Sequence, residues 1–462
     1  MAATTTTLTL VDGVRIVVPD SLDLITPYVL TEQQDWFEDE LRFLRRLLQP
    51  GQHVIDIGAC LGVYTLALAH TVGPSGSVLA FEPAPATAQL LEDSVAANGY
   101  SHVTIRRSAL SAVAGTGQLS VGQHPELSAL ARGTAAGAVE TVLVSTLDDC
   151  LGEFGERRVD FVKIDAGGEE ENILKGGQQF LARHSPLVQY SVKVGTSPNL
   201  GLVAAFRARG YESYRLVPGL DLLVPFEAGS PVDDYLLNLF CCKPETAVRL
   251  AERGRLLIGT EAVQPRAADW RAAMAGFPYA KLLRERWERT MARDAGGELG
   301  EALALYWRSR DPSSSAAERF AALKASMSRL QSLSEGETAG LRRLSLARAA
   351  RDFGARALAA DTLAQLSEEL LGGGQANPDE AFLMASERFD AIPPGNAPAQ
   401  WLLAAVLEEY ERLSTFSSFY TGAAAYPRLQ AISDLGFASP EMQRRFALVQ
   451  LRVTHKPGAS GG

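Results

Sequence analysis

The residues best suited to chemistry lie in one short segment, Val54-Ile55-Asp56-Ile57-Gly58-Ala59-Cys60-Leu61-Gly62-Val63-Tyr64. It reads as a buried strand, a glycine-bearing turn and then a helix. Glycine lets a ligand approach the backbone closely, and a helix N-terminus favours an anionic group. The pattern is D-x-G-x-x-x-G, not the G-x-G-x-x-G of dinucleotide sites. The acid at Asp56 would repel a pyrophosphate. It suits a ligand with positive charge, such as the aminocarboxypropyl sulfonium of S-adenosylmethionine, with Gly58, Cys60, Gly62 and Tyr64 around it.

Three further strand ends fall into register with this turn. Phe81-Glu82-Pro83 closes the second strand, where the Glu82 carboxylate can accept from both hydroxyls of a ribose. Ser108 and Ala109 follow the third, where an adenine edge would lie. Lys163-Ile164-Asp165 closes the fourth. All four ends belong to the carboxyl edge of the sheet, where such folds bind ligands. A neutral hydroxyl that attacks a methyl group needs a base or strong polarisation. Asp165 is the first candidate base and Glu170 the second, although Glu170 also suits the first turn of a helix. Lys163 could polarise the acceptor if its side chain reaches the cleft. Tyr28, Trp36 and Glu38 are candidates for a lid, or for an amphipathic segment packed on the sheet.

The elements that position these residues alternate. Strands are expected at His53–Ile57, Ser77–Phe81, Val103–Arg107, Phe161–Ile164, Leu187–Tyr190, Tyr211–Leu216 and Leu236–Cys241. Helices are expected at Tyr64–Thr71, Ala86–Asn98, Glu170–Arg183 and Leu200–Arg209. This alternation predicts a doubly wound, mostly parallel seven-stranded sheet, its last two strands able to pair antiparallel. Before it, Thr7–Val11 and Val14–Val18 flank Asp12-Gly13 as a hairpin, with positive φ expected at both turn residues. One helix is expected from Leu30 to Leu48. The expected division is residues 1–50 (hairpin and helix), 51–243 (catalytic sheet) and 244–462 (all-helical).

In the last part Leu283, Trp287 and Met291 share a helical face, and Ser334-x-x-Glu337 is a candidate capping box. Gly354 separates two helical runs that resemble one tetratricopeptide-like unit, without a second copy at a fixed period. Linkers are expected at Asp311–Ser315, Gly372–Pro378 and Ile392–Pro398, and a frayed tail from His455.

Composition narrows the function classes. The chain has 462 residues and a net charge of −10, with −12 in residues 1–242 and +2 in 243–462. That argues against gripping nucleic acid through its phosphates. The Asp-Ala-Gly-Gly after the fourth strand also lacks the aromatic, proline-rich character that stacks a flipped base. Four cysteines without C-x-x-C point to free thiols in a reducing, cytoplasmic setting. The N-terminus shows no secretory pattern, and the uncharged stretch Leu61–Phe81 reads as helix, turn and strand, not a membrane span. Arginine outnumbers lysine 37 to 7, as in GC-rich bacterial coding. The six histidines show no metal spacing.

Residues 28–243 resemble the FkbM family of S-adenosylmethionine-dependent methyltransferases. The resemblance rests on PGQHVIDIGACLGVYTLALA, on GSVLAFEPAP followed by Asn98, and on DFVKIDAGGEEENILKGG. It implies a class I methyltransferase sheet, S-adenosylmethionine as cofactor, and O-methylation of sugar, glycan or natural-product hydroxyls. Two departures stand out. Gly167 replaces the Glu of "KIDvEG", and Ser191 aligns where the family often has Glu, so the need for a divalent metal stays open. Cys60 replaces the usual Asn. The resemblance implies a small-molecule or glycan acceptor. The helical part could recognise that acceptor, form a homodimer or dock a protein partner. A second reading is a degenerate cofactor binder whose helical part is an adaptor.

Overall fold

The computed structural model describes residues 4–120, 129–130, 139–194, 197–229, 231–259, 269–291, 297–336, 340–374 and 378–454. The chain divides into two compact units. One comprises residues 1–216, 223–232 and 236–258, the other 217–222, 233–235 and 259–462.

The first unit opens with a hairpin of β1 (Thr5–Thr9) and β2 (Arg15–Pro19). Of its two turn residues only Gly13 takes positive φ (81°); Asp12 instead accepts the Val14 N–H through its side chain. The single helix expected over residues 30–48 is two, α1 (Ile25–Gln33) and α2 (Asp39–Leu47). Gln34 breaks them apart in the left-handed region at φ 59°. Then follow β3 (His53–Ile57), α3 (Val63–Val72), β4 (Ser77–Phe81), α4 (Pro85–Asn98), β5 (Val103–Arg106), β6 (Ser108–Leu110), β7 (Gly115–Ser120), β8 (Ala129–Leu130), β9 (Val139–Ser145) and β10 (Phe161–Ile164). The unit continues with α5 (Glu170–Lys175), α6 (Gln178–His184), β11 (Leu187–Ser191), the short pair β12 (Lys193–Val194) and β13 (Ser197–Pro198), and α7 (Gly201–Arg207). It ends with β14 (Glu212–Val217), β15 (Leu222–Pro225), β16 (Asn238–Cys242) and α8 (Pro244–Glu252).

The main sheet runs β15-β14-β16-β11-β10-β3-β4-β5. From β11 to β5 the strands are parallel, and β16 lies antiparallel between β11 and β14. This is the class I methyltransferase order, extended to eight strands by β15 at the edge rather than the seven expected. A second correction concerns residues 108–110. The third strand stops at Arg106, and Ser108–Leu110 pairs with β9 in a separate four-stranded sheet, β6-β9-β7-β8. In that sheet β7 carries glycine and serine in place of an apolar run, and β9 is exposed at most of its positions, so neither reads as a buried strand.

Period-2 alternation sorts the side chains to two faces. Val54, Val78, Phe161, Leu187, Phe240 and Cys242 pack toward the hairpin, α2, α3 and α8. Ile55, Ile57, Leu79, Val162, Ile164, Val188 and Cys241 pack toward α5, α6 and α7. Cys241 and Cys242 are buried, and neither they nor Cys60 and Cys150 form a disulfide.

The described elements of the second unit are helical: α9 (Trp270–Met274), α10 (Pro278–Met291), α11 (Glu298–Arg310), α12 (Ala316–Leu333), α13 (Arg342–Phe353), α14 (Arg356–Leu371), α15 (Glu387–Ala391), α16 (Pro398–Ser414), α17 (Ser418–Thr421), α18 (Tyr426–Asp434) and α19 (Pro440–Thr454). Gly354 caps α13 at φ 86°, and α13 and α14 pack against each other. Ser334 is the C-cap of α12 and opens no helix; its expected partner Glu337 lies outside the described residues, as do 375–377 and the tail from 455. The capping box sits instead at Ser315 and Glu318, within the expected linker.

Arg348 holds this unit together electrostatically. Its guanidinium lies 3.5 Å from Asp352, 3.3 Å from Asp390 and 3.0 Å from the Tyr306 hydroxyl, all buried. Burial alone would raise the Asp352 carboxyl, but Arg348, Arg351 and Arg310 outweigh it and hold it below the usual range. Such a group contributes stability above the ordinary carboxylate pKa, and that contribution is lost as pH falls through its lowered folded value. Arg348→Ala takes the paired guanidinium from buried Asp390 and leaves Asp352 to Arg310 and Arg351, and is expected to cost about 3–5 kcal/mol, checked by urea denaturation at pH 7.

Candidate functional site

Register sets the floor of the site. Asp56 on β3 pairs with Lys163 on β10, and Lys163 pairs with Gln189 on β11. Three polar side chains therefore lie in a row on the α3 face, among apolar neighbours. Asp56 is fully buried; its Oδ2 accepts from Thr65 Oγ1 at 2.6 Å and its Oδ1 lies 3.8 Å from Lys163 Nζ. Lys163 Nζ also lies 3.3 Å from Asp165 Oδ2 and 4.7 Å above the Tyr64 ring. Burial would push this ammonium's pKa down, but Asp165, Asp56 and Glu38 together hold it above the ordinary lysine value.

Glu38 completes the row from the segment between α1 and α2. Its carboxylate accepts from Tyr64 Oη at 2.6 Å, Asn238 Nδ2 at 2.7 Å and Trp36 Nε1 at 2.9 Å. Gln189 Nε2 donates to the same tyrosine oxygen at 2.9 Å. Burial raises the Glu38 carboxyl despite these donors.

The turn after β3 is built by Gly58, at φ 79°. A Cβ there would meet the Asp165 carbonyl oxygen at 1.8 Å, so a side chain has no room. The N–H groups of Gly58 and Ala59 both donate to Phe81 O, which ties this turn to the end of β4. Glu82 sits just beyond. Its Oε2 accepts the Cys60 N–H and its Oε1 the Ala84 N–H, both at 2.9 Å. Burial pushes this carboxyl up to about 7 in spite of the two amides. Each oxygen keeps a second lone pair for a further donor.

These residues surround a cleft that is open to solvent. Gly58, Cys60, Tyr64, Glu82, Pro83, Ser108, Ala109, Lys163 and Asp165 all line it. The remaining three expected residues do not. Asp56 lies beneath the floor, where it positions Lys163 and Thr65; Gly62 packs under Leu91, where a Cβ would approach a methyl to 2.3 Å. The Glu170 carboxylate turns away to accept the N–H groups of Ala166 and Gly168 at 3.0 and 3.1 Å, pinning the loop after β10. A glutamate opening a helix finds its nearest unpaired N–H groups in the loop just before it. Of the lid candidates, Trp36 and Glu38 line the cleft, and Tyr28 is buried in α1 away from it.

The sequence patterns single out neither Gln189 nor Asn238, and they mark Glu169 only as part of the helix N-terminus Glu169-Glu170-Glu171, which it is. Glu169 lines the cleft, accepting from Ser111 Oγ and Asn172 Nδ2, each at 2.9 Å. The signal for Gln189 was present, since a glutamine inside the apolar run Leu187–Tyr190 needs a polar partner. Nothing linked Glu38 to β16, 200 residues further on. Among the described residues no group of three or more His, Cys, Asp or Glu is arranged to hold a metal. None of their helices is long and apolar enough to cross a membrane.

The described lining carries four carboxylates, Glu38, Glu82, Asp165 and Glu169, against the Lys163 ammonium. It favours a ligand with positive charge and hydroxyl donors. The Oδ1 of Asp56 accepts no hydrogen bond among the described residues and faces the Lys163 ammonium at 3.8 Å.

Residues 56–212 match the family model of the methyltransferase FkbM domain. Similar solved structures include a methyltransferase FkbM from Methylobacillus flagellatus KT, 18% identical with a TM-score of 0.31, covering 45% of this chain and 48% of that one. The chain thus spans about half the length of that protein. A SAM-dependent O-methyltransferase from Thermotoga maritima is 17% identical with a TM-score of 0.28, covering 52% and 77%. A SAM dependent methyltransferase from Aquifex aeolicus is 15% identical with a TM-score of 0.28, covering 47% and 93%. No curated protein matches the chain.

Proposed function

We propose that this chain, whose residues 56–212 match the methyltransferase FkbM domain, methylates a hydroxyl of a small molecule or glycan, using S-adenosylmethionine. The observation that carries the reading is the single cleft in which the Gly58 turn, Glu82 and the Lys163–Asp165 pair meet. When bound, the cofactor supplies an electrophilic methyl group on a sulfonium.

The residues present fit that group. Glu82 offers a free lone pair on each carboxylate oxygen to the two ribose hydroxyls. Ser108 and Ala109 provide the adjoining wall for a base. The carboxylate excess of the lining attracts positive charge. Asp165, whose side chain is about half exposed at 48%, stands at the mouth as the proton acceptor for the attacking hydroxyl. Lys163 orients that carboxylate from below and is itself clamped by Asp56. Its ammonium is therefore a positioning group more than a free donor to the acceptor.

Free thiols at all four cysteines support a reducing, cytoplasmic setting. The helical unit is the proposed place for acceptor recognition or for a partner, a second copy included. The adaptor reading is disfavoured by the intact cofactor-side lining.

Asp165→Asn is expected to bind S-adenosylmethionine with unchanged affinity and to lose about 10²–10⁴-fold in turnover. The check pairs calorimetry with mass spectrometry of glycans and metabolites that gain one CH₂ when the protein is supplied. Unchanged turnover would remove Asp165 as the base. Absence of cofactor binding in the parent protein would remove the whole proposal.

A further inference from the structure

The parallel strands have a second edge. β10 ends in the cleft described above, and the residues just before the starts of β10 and its neighbour β11 line a different pocket. It has about 550 Å³ of open space, bounded by Glu156, Arg157, Arg158, Arg183, His184, Ser185 and Glu245. Three guanidinium groups converge there, in the half of the chain that carries the negative charge.

Their hydrogen bonds run mainly to neutral oxygens. Arg158 donates to Ser185 O at 2.8 Å and Thr246 Oγ1 at 3.0 Å. Arg183 donates to Gly155 O at 2.6 Å, and Arg157 to Phe154 O at 3.3 Å and Glu153 O at 3.2 Å. The two carboxylates on the rim, which interact with Arg183 and Arg158, offset them only in part. Glu156 is wholly exposed, 3.9 Å from Arg183. Glu245, on the rim at the start of α8, is held below the usual carboxylate range mainly by its own backbone N–H, with Ser185, Lys243 and Arg158 adding to it. Asp160, close by, accepts the His53 N–H at 3.0 Å.

His184 supplies the second observation. Its ring is buried against Phe180 and Phe154, with centroids 4.4 and 5.9 Å away. Nδ1 accepts the Val159 N–H at 3.2 Å, so in the neutral ring the proton sits on Nε2. That buried Nε2 has no partner among the described residues. Burial, then Arg183 and Arg158, hold this imidazole below its ordinary pKa and so neutral. Arg158 itself is held below the usual arginine range, by burial and then by Arg249. Other buried arginines, such as Arg348 and Arg412, are pushed the opposite way by their acids. Asp160 and Glu245 counter the lowering at Arg158 without outweighing burial and Arg249.

We propose that this pocket binds a phosphate-type dianion, either inorganic phosphate or the phosphoryl group of a small phosphomonoester. Arginine forks suit phosphate oxygens, and a dianion supplies the charge that Arg157, Arg158 and Arg183 lack. The site is separate from the methyl-transfer cleft and does not rest on the function assigned to it.

The test is calorimetric titration of inorganic phosphate, and separately of glycerol phosphate, into the full chain at low ionic strength with a chloride control. The parent protein is expected to show saturable binding to at least one. Arg183→Gln, at a side chain 48% exposed, is expected to fold normally and to weaken that binding at least tenfold. Arg158→Gln is expected to do the same, with melting curves reporting its fold. Saturation by phosphate and not by the ester assigns the pocket to the free anion. No saturable binding to either probe, or equal binding by parent and Arg183→Gln, overturns the proposal.

Discussion

Glu82→Ala is expected to abolish measurable S-adenosylmethionine binding at concentrations that saturate the parent protein. The carboxylate is assigned two hydroxyl donors, and hydrogen bonds to a charged acceptor contribute about 1.5–3 kcal/mol each. Losing both corresponds to a loss of affinity of about a hundredfold or more. Alanine also leaves the Cys60 and Ala84 N–H groups without their partner, which loosens the turn. Glu82→Gln separates these effects, because it keeps the shape and loses the charge. Calorimetry on both variants is the check; parent-like affinity in Glu82→Ala would show that this acid holds no ribose.

The same residue makes cofactor affinity depend on pH. Its carboxyl is pushed up to about 7 by burial, and hydroxyl donors prefer the ionised form. Affinity is therefore expected to rise about tenfold from pH 6 to pH 8, following the ionised fraction, and to flatten in Glu82→Gln. Folding runs the other way. A carboxyl raised in the folded state contributes stability below its unfolded pKa and loses that contribution as pH rises through about 7. The free protein is expected to lose stability over that window relative to Glu82→Gln, while the parent gains cofactor affinity.

Gly58→Ala is expected to be the most disruptive single methyl addition in the sheet unit. The added Cβ would stand 1.8 Å from the carbonyl oxygen of Asp165, and φ is 79°. Neither the backbone of β3 nor that of β10 can retreat without breaking the ladder that holds Asp56 opposite Lys163. Strain and overpacking together are expected to cost about 2–5 kcal/mol, with loss of cofactor binding. Gly168→Ala is the control. It also has positive φ, 98°, but nothing within 4 Å of the added carbon, so its expected cost is about 1 kcal/mol. Urea unfolding midpoints for the two variants test the difference. Equal midpoints would mean that the loop after β10 moves aside readily.

The sequence by itself determined the sheet, its nucleating turn and most of the cleft lining. Short apolar runs such as Val54–Ile57 and Phe161–Ile164 have one stable home, a strand buried on both faces. Right-handed crossovers then send Asp56, Glu82 and Asp165 to one edge. The glycine at 58 was legible for the same local reason, since a tight turn between strand and helix leaves no room for a side chain.

Tertiary structure decided what no local pattern encodes. Asp56 belongs under the floor, because strand register sets it beside Lys163 and a charge buried at that depth must be paired. Glu170 serves the loop because two N–H groups lie closer to it than the cleft does. Glu38 enters the site only because Gln34 breaks the expected helix and turns the chain inward, toward Tyr64 and an asparagine from the antiparallel strand. Ser108–Leu110 joins a second sheet by pairing with Leu143–Ser145, 35 positions away. Periodicity records which side a residue faces. Which residues meet across that face depends on register and long-range closure, and those are settled when the whole chain packs.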